Sequence, residues 1–115
     1  MSPSTIEYLR HMLDEVNYLL TQSQGLHKDT FIHDPTLKRA FVRSLEIIGE
    51  ATKQLPPDFK RKYSHVEWKE IAGMRDKLIH HYFGVDYDVV WNAVTDDMPQ
   101  LHKMLEQIID QASNH

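Results

Sequence analysis

Asp34-Pro35-Thr36-Leu37-Lys38-Arg39-Ala40-Phe41-Val42-Arg43-Ser44-Leu45-Glu46-Ile47-Ile48-Gly49-Glu50-Ala51-Thr52-Lys53-Gln54-Leu55-Pro56-Pro57 is the stretch from which the fold can be read. Leu37, Phe41, Ser44, Ile48, Ala51 and Leu55 recur at three- and four-residue steps, the spacing that lines one face of an α-helix. Arg39, Arg43, Glu46, Glu50 and Lys53 fall on the opposite side, so the charges form a second, coherent face. Both ends are punctuated. Asp34 is a capping residue with proline at the first helical position, and Pro56-Pro57 cannot continue a helix.

The same period extends in both directions. Upstream, Ile6, Leu9, Leu13, Val16 and Leu20 predict a helix from about Ser4 to Gln24 that stops at Gly25. Ser4 and Glu7 match a capping box, with Ser2-Pro3 as a competing start one turn earlier. Downstream, Ser64 and Glu67 match a second capping box. Trp68, Ile71, Ala72, Arg75, Leu78, Ile79 and Tyr82 then share one stripe, so a third helix is expected to run from Ser64 to Gly84. Asp86 or Asp88 can cap the next helix, which carries Val90, Trp91 and Val94. Pro99 either kinks that helix or sits in the first turn of a new one capped near Asp97, continuing through Leu101, Leu105, Ile108 and Ala112. No segment alternates as a strand does, and glycine totals four. The expected fold is all-α, an up-and-down bundle of four to five helices in a single domain over residues 1–115.

Composition narrows the chemistry. With 41% hydrophobic residues and no cysteine, a core without staples is expected, and a disulfide scaffold, a zinc–thiolate site and a cysteine nucleophile are excluded. The first residues show no basic region followed by an apolar core, and no window reaches the ~20 apolar residues that span a bilayer. A cytoplasmic protein without membrane contact is expected. Formal net charge is -4, but its distribution is uneven. Residues 38–77 hold ten basic and six acidic side chains, whereas residues 84–115 hold one basic and six acidic. Ordinary surface patterning accounts for this, and a local anion site is the sharper reading.

Arg75 breaks the pattern. At 100° per residue it points within ~20° of Trp68 and Tyr82, inside the apolar stripe, where a guanidinium must be paired or solvated. One reading is a core-edge arginine tied to Glu46 or Glu50. The other is an arginine facing a bound anion, since its planar fork matches phosphate. On a continuous helix His80 would lie about 7.5 Å further along the axis and ~140° around it. The two could flank a phosphodiester only across a helix edge or in a cleft shared with a second chain. His80 is the side-chain type that moves protons near neutrality, and Asp76, four residues earlier, could hold its ring. Tyr82, one heptad after Arg75, reads as a mostly buried ring with its hydroxyl at the rim. His81 reads as surface. Neither a His-Glu-x-x-His metal pattern nor a glycine-rich phosphate loop occurs, so no metal and no cofactor are expected.

Arg75-Asp76-Lys77-Leu78-Ile79-His80-His81-Tyr82 resembles the Arg-x4-His-x-Tyr motif of the HepT-like toxins, a branch of the HEPN superfamily. The resemblance extends to residues 43–51, 68–74, 82–86 and Val90-Trp91, nearly the whole chain in order. It implies a helical-bundle homodimer in which motif residues of both copies line an interface cleft. It also implies a metal-independent endoribonuclease toxin, neutralised by a minimal nucleotidyltransferase antitoxin. Carried over by motif, Arg75 and His80 would be the catalytic pair, Asp76 the supporting polar residue, and Tyr82 the acceptor of AMP. Arg43, Glu46 and Glu50 would be charged-face partners. A two-fold axis would bring both copies of Arg75 and His80 into one groove. The alternative expectation is a non-catalytic helical partner of a nucleotidyltransferase or nucleotide-binding protein, and a purely structural adaptor is a third.

Overall fold

The structure, a computed structural model, describes residues 3–80 and 84–113. It is all-α apart from one two-residue strand pair. Helix α1 (Pro3–Ser23) begins at the earlier of its two candidate starts. Gly25 follows its end at φ 72°, a left-handed conformation that glycine adopts without a side-chain clash. The short helix α2 (Lys28–Ile32) was not legible in the hydrophobic period, because its five residues span little more than one turn. It exists to deliver Phe31, which is fully buried against Phe41 and Trp91, with ring centroids 5.0 and 5.4 Å away.

Helix α3 (Pro35–Lys53) starts as its sequence dictates: the Leu37 amide donates to Asp34 Oδ1 at 3.0 Å, and Pro35 occupies the first turn. Phe41, Ser44, Ile48, Ala51 and Leu55 are all buried. Helix α4 (Pro57–Lys62) begins on the second proline of the pair, with Pro56 as its N-cap, and buries Phe59 beside Tyr63 and Trp68.

The expected third helix from Ser64 to Gly84 is corrected by the structure. The chain instead forms α5 (Trp68–Ala72), turns at Gly73, forms α6 (Met74–Leu78), and leaves as strand β1 (Ile79–His80), paired antiparallel with β2 (Gly84–Val85). Ser64 caps nothing, and Glu67 precedes α5 without a side-chain cap. Tyr63, Val66 and Trp68 are all buried. To bury all three the backbone turns, with Val66 N donating to Tyr63 O at 3.1 Å and Trp68 Nε1 donating to the same carbonyl at 3.0 Å. Removing three apolar side chains from water outweighs one capping box, which supplies about 1 kcal/mol.

Asp86, rather than Asp88, caps α7 (Tyr87–Asn92), accepting from the amides of Asp88 and Val89 at 3.1 and 3.2 Å. The chain then continues through a π-helical turn (Ala93–Asp97) into α8 (Met98–Ser113), with helical backbone at both junctions. Neither a new cap at Asp97 nor a break occurs. The Met98 amide reaches back five residues to Ala93 O, and this wider turn leaves room for the Pro99 ring, which would otherwise meet the carbonyl one turn earlier. Helix α1 packs against both α3 and α8, and α3 also packs against α5 and α6. The core lies along these faces, from Leu9, Met12 and Val16 to Leu45, Ile48, Leu101 and Leu105. Among the described residues no helix is long and apolar enough to cross a membrane.

Candidate active site

Arg75 stands on α6, and α6 is positioned by α3. At Gly49, in the middle of α3, a Cβ would lie 3.0 Å from the Ile71 carbonyl oxygen and 3.5 Å from that of Ala72. Only a residue without a side chain lets the α5–α6 junction approach so closely. The two segments pass in opposite chain directions: Gly49 faces Ala72, and three residues back along α3 Glu46 faces Arg75, three residues further on. Arg75 Nε lies 3.6 Å from Glu46 Oε2. Glu50, the other candidate partner, is taken instead by Arg43, with Nη1 3.6 Å from Oε1.

The expected place of Arg75 inside an apolar stripe is overturned. Its side chain is 68% exposed, while that of Glu46 is 21% exposed. Phase is lost at Gly73, where φ −86° and ψ 10° end α5, so a count at 100° per residue from Trp68 no longer applies. For the same reason the expected offset between Arg75 and His80 dissolves. Helix α6 ends at Leu78, Ile79 is extended, and the His80 backbone is in β1. Asp76 is exposed on the first turn of α6 and is not one helical turn from His80. The His80 imidazole, His81 and Tyr82 lie outside the described residues.

Gly84 adopts φ 73°, a conformation glycine permits, and pairs with His80 in the ladder. The amide of Asp86 donates to Leu78 O at 2.7 Å. The backbones of Ile79–His80 and Gly84–Val85 therefore lie side by side between the end of α6 and the start of α7. Sequence reasoning missed this strand pair. Its available signal was glycine at 84 followed by the capping Asp86, a turn-and-start pattern within reach of Leu78.

Two surface depressions among the described residues lie elsewhere. A cleft of about 250 Å³ lies between α5–α6 and the start of α8, floored by Met74, Met98 and Leu101 and rimmed by Glu67, Glu70 and Asp97. Its carboxylates would repel phosphate, and the Glu67 carboxyl is pushed above its ordinary value by the hydrogen bond it donates, when protonated, to Glu70 and by charge repulsion with that side chain. A shallower depression beside α4 carries Lys60, Arg61, His65 and Lys69 with Glu67 and Glu70. Arg75 lines neither of these two, and its side chain is mostly exposed. Among the described residues no cluster of three or more histidine or carboxylate side chains is arranged to hold a metal ion.

Comparison with known proteins puts this geometry in context. The family described as ribonuclease HepT-like matches residues 6–108. The chain belongs to the HepT-like ribonuclease family. It is 53% identical over 102 residues to a candidate RNase of Caldanaerobacter subterraneus, covering 89% of this chain and 91% of that one. It is 43% identical over 102 residues to a candidate RNase of Methanocaldococcus jannaschii, covering 89% and 84%. The protein of Thermococcus cleftensis named probable ribonuclease HepT is 40% identical over 108 residues, covering 94% and 98%. No solved structure matches the chain at comparable significance.

Proposed function

We propose that this protein is a metal-independent endoribonuclease toxin, silenced by a nucleotidyltransferase antitoxin. The observation that carries the reading is an arginine at the first position of the Arg-x4-His-x-Tyr motif that is solvent-exposed in a HepT-like chain. A guanidinium held at a surface by one carboxylate retains donors for a phosphodiester. In this reading Arg75 binds the scissile phosphate and stabilises the charge that builds on it in the transition state. His80 moves the proton, taking it from the attacking 2′-hydroxyl or giving it to the leaving oxygen. Asp76 supports the pair. A homodimer supplies the motif twice in one groove, which suits an arginine that faces open solvent in a single chain. Tyr82 is the acceptor of AMP. The adduct's bulk and negative phosphodiester would exclude RNA by sterics and like-charge repulsion.

One observation favours a second reading. An ion pair between Arg75 and Glu46 is also what a non-catalytic helical partner of a nucleotidyltransferase would use to hold α6 on α3. Cleavage of single-stranded RNA by purified protein in excess EDTA separates the two. Wild type is expected to cleave, with activity lowered at least ~100-fold in folded Arg75→Ala and His80→Ala. No cleavage by wild type, or equal cleavage by all three proteins, overturns the nuclease assignment. Intact mass after incubation with the transferase, ATP and Mg²⁺ tests the acceptor: an AMP adduct on wild type and none on Tyr82→Phe.

A further inference from the structure

We infer that Glu46 is a positioning residue for the nuclease site, holding Arg75 by one edge of its guanidinium so that the other edge is presented to the RNA phosphate. The inference rests on the nuclease reading above and concerns a residue outside the Arg-x4-His-x-Tyr motif. Three observations carry it. Glu46 meets Arg75 at Nε, the inner edge of the guanidinium, at 3.6 Å. Among the described residues neither Nη of Arg75 makes a hydrogen bond, and its side chain is mostly exposed. Glu46 is largely covered, whereas the guanidinium it faces is mostly exposed.

The design is asymmetric in a way that suits positioning. A guanidinium is planar and rigid, so fixing its Nε edge fixes the direction of the two Nη groups. A phosphate oxygen pair can then be met by a fork already aimed, which lowers the ordering cost when the transition state forms. The backbone enforces the register. Because a Cβ at Gly49 would meet Ile71 O at 3.0 Å, the α5–α6 junction is seated on α3, and that seating sets Arg75 opposite Glu46. Arg43 engages Glu50 and so removes the competing carboxylate from Arg75. Lysine could not replace Arg75 in this scheme, since the three donors of an ammonium rotate about its bond and offer no rigid edge to hold and no fixed fork to aim.

That last point supplies the test. Steady-state cleavage of a short single-stranded oligoribonucleotide is measured for wild type, Glu46→Gln, Arg75→Lys and the double variant. Glu46→Gln is expected to lower kcat about tenfold or more, with a smaller change in KM. In the Arg75→Lys background the same change should cause no further loss, or a gain, because the lysine is released from its carboxylate. Glu46→Asp, which keeps the charge but shortens the reach by one methylene, should fall between wild type and Glu46→Gln, and serves if Glu46→Gln does not fold. An equal fold loss from Glu46→Gln in both backgrounds marks a merely structural role and overturns the inference. So does wild-type activity in Glu46→Gln. Absence of cleavage by wild type itself overturns the nuclease reading, and this inference with it.

Discussion

Helix α3 and the segment from Ser64 to Val85 carry similar helix signals, yet they end differently. Both open on a capping residue and both continue with apolar side chains at three- and four-residue steps. In α3 every level agrees: Asp34 caps, Pro35 starts, and the apolar face is buried along its length. In the later segment the cap is unused, the helix is broken at Gly73 and the last helical residue is Leu78. The difference is what the neighbours require. Helix α3 is long enough to set its own direction and let others pack on it. Helices α5 and α6 have five residues each, too short to hold a shape without the surface they sit on.

The strongest way to break the comparison is to remove what α3 and its partners share. Phe31 is fully buried and joins α2 to α3 through Phe41 and to α7 through Trp91. Phe31→Ala should cost about 3–5 kcal/mol in urea denaturation, since the ring is lost and the site cannot collapse completely. Survival of the full transition midpoint would mean that this cluster is peripheral.

The seat between the two regions comes next. In an exposed helix Gly49→Ala would stabilise by up to ~1 kcal/mol, yet here the new methyl meets a backbone carbonyl. A net loss of about 1–3 kcal/mol is expected, accompanied by reduced RNA cleavage as Arg75 leaves Glu46. A stabilised, fully active Gly49→Ala would show that α5 and α6 are not set by this contact.

Two capping residues sharpen the contrast further. Asp34→Ala should cost about 1 kcal/mol, because the half-buried Leu37 amide loses its acceptor. Ser64→Ala, at an equally good sequence signature, should change stability by less than ~0.5 kcal/mol, because no helix begins there. Equal costs at both positions, read from chemical denaturation, would contradict the break of the third helix.

The smallest effect is expected at Gly73. Its φ of −86° is open to any residue, and a Cβ there would come no nearer than 3.4 Å, to Lys69 O. Gly73→Ala should therefore stay within ~0.5 kcal/mol of wild type. The turn is held by packing on α3, not by glycine's freedom, and a continuous helix in the variant, seen as increased helical ellipticity, would refute that.

Much of this protein was determined by its sequence alone. The all-α class, the rods α1, α3 and α8, and the caps Asp34 and Asp86 follow from period and punctuation, because a long amphipathic helix needs only its own residues and one apolar surface. Arg75, Glu46 and Glu50 could be singled out as charges in need of partners. Tertiary structure decided the rest. It chose Glu46 over Glu50, turned Arg75 out to solvent, ended α6 at Leu78 and folded the His80 backbone into a strand pair. Angular counting along a helix assumes that the helix continues. Whether it does is settled by non-local terms: the close approach at Gly49 and the joint burial of Tyr63, Val66 and Trp68. Those contacts join residues more than ten positions apart or force the chain off its local preference, and no periodicity along the sequence encodes them.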